Sequence, residues 1–172
     1  MAIEPGPEPQ PAYQKLTFKK EAIPPQLQPL IRKLQKSYLF FADMLEEEVG
    51  QFLKLCRRET FEDGKKIFTQ GELGNSFYLV VSGEVRILVE NTEMARLGPG
   101  QVFGEMAILE EVPRNASAVA AGSTLLFSIS RSVLATRAPA LGFKVVVGIA
   151  RQLSVKLREA NDHIRKQDAP QG

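Results

Sequence analysis

Apolar residues recur along this chain with two different periods, and the change from one to the other divides it into zones. From Pro25 onward, Leu27, Leu30, Ile31 and Leu34 return at spacings of three and four, while Arg32, Lys33 and Lys36 fill the opposite positions, which predicts a helix with one docking face. A second run, Leu39, Phe41, Met44, Leu45, Val49, Phe52, Leu53 and Leu55, predicts one continuous helix of roughly four turns. Its acidic residues Glu46 to Glu48 lie on the N-terminal side and Lys54, Arg57 and Arg58 at the end, the order a helix dipole favours.

Between Thr60 and Ile129 the period shortens. Runs such as KKIFTQ, FYLVVSGEVRILVE and MARLGPGQVFGE alternate with turn segments GELGNS and NTE, the pattern of an all-β barrel or sandwich. The strand STLLFSIS closes this zone. After Ser130 the helical period returns: Ser130 or Ser132 can cap a short helix, and Pro139 can open the next. Val146, Ile149, Leu153, Leu157, Ala160 and Ile164 then step by three and four, opposite Arg151, Lys156, Arg158, Glu159, Asp162, Arg165 and Lys166. Either this long amphipathic helix folds back on its own domain, or part of its stripe pairs with a second copy or a partner.

Composition narrows the functional classes. With 172 residues, 44% apolar and 24% charged, the chain suits one globular domain with appendages. Seven of the 11 prolines lie at or before Pro29, and the alternation Pro5, Pro7, Pro9, Pro11 predicts a disordered tail over residues 1–14. Seven of the 13 glycines fall between Gly64 and Gly104, within the β zone. His163 and Cys56, the sole histidine and cysteine, lie more than a hundred residues apart, so a His/Cys metal centre or a nucleophilic triad is not expected. Cys56 reads as a small core residue. The N-terminus lacks a secretory layout and no run is long enough to span a bilayer, so a cytoplasmic location is expected, with no membrane partner. A net charge of +2 does not by itself imply nucleic acid.

The segment richest in chemistry is FGEMAILEEVPRNASAV, residues 103–119. Gly104 lets the backbone turn closely, and Met106 to Glu110 can form one helical turn with N–H groups available to an anion. Arg114 arrives nine residues after Glu105 in apolar surroundings and needs an oxyanion partner there. A carboxylate only accepts hydrogen bonds, so Glu105 beside a phosphate site suits a ligand that also carries hydroxyl donors, as a sugar-phosphate does. An internal Glu105–Arg114 salt bridge closing a turn explains the same residues equally well.

F-G-E-M-A, five residues, then P-R-N-A-S resembles the phosphate-binding cassette of cyclic nucleotide-binding domains, and GELGNSFYLVVSGEV resembles the strand-turn-strand that leads into it. The resemblance runs from about Leu39 to Ile164. It implies an α+β fold: an eight-stranded jelly-roll-like β-barrel flanked by N-terminal helices and a long C-terminal helix. The corresponding segments are a helical extension over 15–38, the barrel with flanking helices over 39–138, a lid or dimerisation helix over 139–166, and a tail over 167–172. It further implies that Glu105 accepts the ribose 2′-hydroxyl, that Arg114 pairs with the cyclic phosphate, and that backbone N–H groups near Ala107 complete the anion site. Gly104, Met106, Asn115 and Ala116 would line it, with Lys156, Leu157 or Ala160 reaching the base. Where the family often has alanine with cAMP or threonine with cGMP, this chain has Asn115, which settles neither.

By the same resemblance the chain is a cyclic nucleotide sensor for cAMP or cGMP, with no further cofactor, metal or catalytic residue. It would signal to an effector protein through the C-terminal helix, hinged near Pro139 to Gly142, and could form a homodimer through that helix. The alternative is a transcription regulator of the same superfamily. Such factors place a helix-turn-helix after the long helix, whereas eight residues follow Ile164, so direct DNA binding is not expected. Lys15, Lys19 and Lys20 with Arg32, Lys33 and Lys36 leave that alternative open. An enzyme such as a cyclic nucleotide phosphodiesterase ranks last, because the sequence offers no plausible metal cluster and no general base facing Glu105 and Arg114. GPGQVFG departs from dinucleotide-binding spacing, and Asn115-Ala116-Ser117 matches a glycosylation acceptor without a secretory signal before it.

Overall fold

A computed structural model describes residue 25 and residues 28–167. The expected proline-rich tail, Leu27, the Lys15, Lys19 and Lys20 cluster and the tail beyond residue 167 lie outside the described residues. Among the described residues, no helix is long and apolar enough to cross a membrane.

The first helix, α1 (Gln28–Ser37), buries Ile31 and Leu34 and turns Arg32, Lys33 and Lys36 to solvent, as its period dictates. The single helix expected from Leu39 to Leu55 is instead two pieces, a 3-10 turn at Leu39–Phe41 and α2 (Glu46–Leu55). The break has a physical reason. Phe40, Phe41 and Met44 all enter the core, which no single helical stripe allows for three such closely spaced residues together with Val49 and Phe52. Leu45 then turns extended and exposed, and the Glu48 carboxylate accepts a 2.7 Å bond from its N–H, capping a helix whose first turn is acidic. Phe40, Phe41, Phe52 and Phe77 form one aromatic cluster with ring centroids 4.9–6.4 Å apart.

The β zone is an antiparallel sheet of six strands: β1 (Arg57–Phe61), β2 (Lys66–Phe68), β3 (Ser76–Val89), β4 (Thr92–Leu97), β5 (Val102–Phe103) and β6 (Ser117–Ser130). The expected eight-stranded closed barrel is not what forms. The pairing order β1-β6-β3-β4 stays open, with β2 on β6 and β5 on β3. The long strands β3 and β6, 14 residues each, run side by side through two slips of register around Ser82. Bulges bend these strands without ending them, so each serves both halves of the sheet: β1 and β2 pair with opposite ends of β6, and β5 and β4 with opposite ends of β3. Gly83 marks the bend, at φ +78°, where a Cβ would stand 2.5 Å from the Ser123 carbonyl oxygen.

A four-residue helix α3 (Met106–Leu109) interrupts the sheet between β5 and β6. After β6 come α4 (Arg131–Arg137), capped by the Ser130 hydroxyl, and α5 (Pro139–Gln167). Pro139 keeps Ala138 out of the helical region, so the break between α4 and α5 falls at Ala138, and Pro139 to Gly142 form the first turn of α5. Two apolar clusters result. One joins Ile31, Leu34, Phe40, Phe41, Phe52, Phe77, Leu141, Val145 and Ile149 between helices and sheet; the other gathers the strand residues Phe68, Val80, Val85, Phe103 and Leu126.

The expected stripe on α5 is divided. Leu141, Val145, Ile149 and Gln152 are buried, while Phe143, Val146 and Leu157 are exposed, on faces roughly a third of a turn apart at 100° per residue. The side chain of Ile164 is outside the described set. Where α5 crosses the 3-10 turn, a Cβ on Gly148 would meet the Phe40 carbonyl oxygen at 2.7 Å, so the helix can sit this close only with glycine there. Gly148→Ala is expected to destabilise the fold by about 1–3 kcal/mol, the usual cost of overpacking, read as a lower urea midpoint at unchanged slope.

Candidate functional site

The second cluster reaches Phe103, the residue before the turn that follows β5. Gly104 takes φ +74°, and a Cβ there would lie 2.5 Å from Nη1 of Arg114. Both backbone conformation and space therefore require glycine. Arg114 is only 6% exposed. Its Nη1 donates to the Gly104 carbonyl and its Nη2 to the Ser76 carbonyl, each at 2.6 Å. The guanidinium carbon stands 4.1 Å from the centroid of the Phe68 ring and 5.8 Å from that of Tyr78. The backbone is held as firmly: Arg114 N–H donates to Glu72 O, and Arg114 O accepts from Gly71 N–H, both at 2.8 Å. Burial pulls the guanidinium below its ordinary pKa, while Tyr78, Glu72 and Glu105 act in the opposite sense. Burial likewise pushes the Tyr78 hydroxyl up.

Glu105 follows the glycine and is as buried as Arg114. Its backbone carbonyl accepts from Ile108 and Leu109 at 3.0 Å, closing the turn of α3, so the N–H groups of Met106 and Ala107 precede the first bond of that turn. The Glu105 side chain does not bridge to Arg114. Its Oε1 lies 3.8 Å from Nζ of Lys156 on α5, so carboxylate and guanidinium keep separate partners and the internal salt bridge is not the arrangement found.

The residues singled out in the sequence fall into two groups. Gly104, Glu105, Met106, Ala107, Arg114, Asn115 and Ala116 come together around the β5–α3 turn; Ala107 and Ala116 are buried, and Asn115 is exposed with its amide 3.1 Å from the Met106 sulfur. Of the helix residues, Lys156 reaches this region, donating to the Val102 carbonyl at 2.9 Å, whereas Leu157 and Ala160 are exposed.

Several participants escaped the sequence reading. Gly74 lies so close to Arg114 that a Cβ would collide with the guanidinium, making it the second wall of the slot. Its signal was the glycine spacing of GELGNS. Phe68 and Tyr78 supply the floor, which looked like ordinary strand apolarity. Gln152 is 7% exposed; its Oε1 accepts from Val102 N–H at 2.9 Å and its Nε2 donates to Gly100 O at 2.7 Å. It is the polar member of a Val145, Ile149, Gln152, Lys156 series at spacings of four, three and four, which an apolar count passes over.

Residues 58–136 match the family model described as the cyclic nucleotide-binding domain. This chain carries a cyclic nucleotide-binding domain. Over 129 residues it is 39% identical to the cyclic AMP receptor protein of Thermus thermophilus, a match covering 70% of this chain and 58% of that protein. It is 34% identical over 106 residues to the cAMP-dependent protein kinase regulatory subunit of Yarrowia lipolytica, covering 62% of this chain and 28% of the relative. The chain thus spans less than two thirds of either relative's length. The crystal structure of the Thermus thermophilus catabolite activator protein superposes with a TM-score of 0.64 at 36% identity, over 75% of this chain and 62% of that one. The whole cluster from Gly74 to Ala116 lies inside the matched residues of the domain, and Gln152 and Lys156 lie beyond them.

Because Gly74 borders the guanidinium of the domain's buried arginine, Gly74→Val is expected to displace Arg114 from its two carbonyls and destabilise the fold by about 1–3 kcal/mol. A urea melt of Gly74→Val beside Gly98→Val, where φ is not positive and the added Cβ meets nothing within 4 Å, isolates the crowding; equal losses in the two would contradict it.

Proposed function

We propose that the domain is a sensor of a 3′,5′-cyclic nucleotide, cAMP or cGMP, and that it acts by binding, without catalysis, to signal to an effector protein. The observation carrying this reading is a buried carboxylate and a buried guanidinium on either side of one glycine turn, neither neutralising the other. Two of the five N–H donors of Arg114 go to carbonyls, and its remaining donor capacity suits a phosphate oxygen. Glu105 suits the ribose 2′-hydroxyl, and the N–H groups of Met106 and Ala107 suit the phosphate. The named relatives, a cyclic AMP receptor and a cAMP-dependent kinase subunit, favour cAMP.

The exposed row of Phe143, Val146 and Leu157 on α5 supports a second proposal, that two copies pair along this helix. A transcription-regulating role is the competing output; the likeness to the catabolite activator protein supports it, and salt-dependent retention on DNA would be its sign.

Calorimetric titration with cAMP, cGMP and cyclic di-GMP tests the ligand. Micromolar binding, about −8 kcal/mol, is expected for one of the first two, with the nucleotide recovered unchanged. Arg114→Leu is expected to remove about 2–3 kcal/mol of it, the scale of a charged hydrogen-bonded contact; wild-type affinity in that variant would displace the assigned site. For the pairing, native mass measurement is expected to give a dimer that Leu157→Arg converts to monomer, and a monomeric wild-type chain would end the proposal.

A further inference from the structure

We propose that α5 forms the ribose-side wall of the nucleotide pocket, with Lys156 acting on Glu105 and so on the 2′-hydroxyl, not on the base. This rests on the cyclic nucleotide reading above and assigns a role to residues beyond the matched domain.

The geometry carries the argument. Val102 is the residue before Phe103 and Gly104, at the start of the two-residue strand that feeds the turn. Its N–H is taken by Gln152 and its carbonyl by Lys156, so both backbone groups are held by side chains one helical turn apart on α5. Gln152 also accounts for the Gly100 carbonyl. The helix edge thereby substitutes for a neighbouring strand, and the bonds fix where Nζ of Lys156 stands. That position is 3.8 Å from Oε1 of Glu105, with the lysine side chain 30% exposed and the glutamate 8%.

An ammonium there does two things for a ribose site. It compensates a carboxylate that has lost most of its water, and it offsets the repulsion between that carboxylate and an arriving cyclic phosphate. It does not consume the acceptor. A carboxylate has about four lone-pair sites, and one ammonium near Oε1 leaves room for a hydroxyl donor. Of the other candidates for the base, Leu157 is exposed and stands about 100° around α5 from Lys156, while Ala160, one turn beyond Lys156 on the same face, is exposed and offers only a methyl group.

A base-contacting lysine and a carboxylate-positioning lysine differ in which ligand atom they depend on. The test is the affinity of wild type and Lys156→Met for cAMP, cGMP and 2′-deoxy-cAMP, with the unfolding midpoint of each protein recorded. The expected result is that Lys156→Met weakens cAMP and cGMP to the same extent, about tenfold on the scale of one charge-assisted contact, and changes 2′-deoxy-cAMP by less than about twofold. A lower midpoint is expected, since the variant also gives up the bond to the Val102 carbonyl, and comparing cAMP with 2′-deoxy-cAMP within the same variant separates that general loss from the effect on the 2′-hydroxyl. An equal loss for cAMP and 2′-deoxy-cAMP, a loss that differs between cAMP and cGMP, or no loss at all would overturn the proposal while leaving the nucleotide reading intact. Failure of wild type to bind any of the three would overturn both.

Discussion

The burial of one guanidinium sets the terms for the rest of the domain. Arginine cannot shed its charge at any pH at which the chain folds, so a 6% exposed Arg114 must be met by acceptors and soft faces from every side. Those come from separate parts of the chain: the Gly104 carbonyl after β5, the Ser76 carbonyl at the start of β3 and the ring of Phe68 at the end of β2. Gly71 and Glu72 hold its backbone. The β2–β3 turn, the cassette turn and the approach to β6 therefore share a single side chain, and two glycines exist where they do because the guanidinium leaves no room for a Cβ. A side chain assigned to phosphate is thereby also the tie between three loops.

The second organising feature is the way α5 changes character along its length. At its start Leu141, Val145 and Ile149 pack by shape against the phenylalanine cluster, and Gly148 sets how near the helix comes to Phe40. One turn later the same face becomes polar, and Gln152 and Lys156 take up the backbone of Gly100 and Val102. The helix is thus set by close packing where it passes Phe40 and by directional hydrogen bonds to backbone beside Glu105.

How far the sequence foretold this depends on what each residue's partner was. Period and turn chemistry located α1, the β zone and α5, because burial of side chains on one face leaves a periodic trace. The cassette from Gly104 to Ala116 was legible because its residues are contiguous and chemically unusual. The strand count was not: bulges at Ser82 bend β3 and β6 without interrupting their pattern, so two long strands did the work of four. Leu39 to Leu55 looked like one helix because Phe41, Met44, Leu45, Val49 and Phe52 recur at near-helical spacing, whereas Phe40, which also enters the core, falls outside that series and the chain breaks after Phe41. On α5 the apolar stripe ran between the two real faces, since Gln152 and Lys156 bury by bonding to backbone and an apolar count assigns them to solvent. Gly74 was seen as a turn residue; what it faces, a guanidinium 40 residues away, is a tertiary fact.

The separation of Glu105 from Arg114 is what makes the site suited to a ligand. Had the two paired directly, a nucleotide would have to break a buried ion pair, whose loss of a partner typically costs about 3–5 kcal/mol, before gaining either contact. Instead Arg114 is met by two backbone carbonyls and Glu105 by an ammonium from another element. Carbonyls satisfy a guanidinium without cancelling its charge, so its field still reaches a phosphate. A chain with a net charge of only +2 can thereby favour an anion at one place without being cationic as a whole.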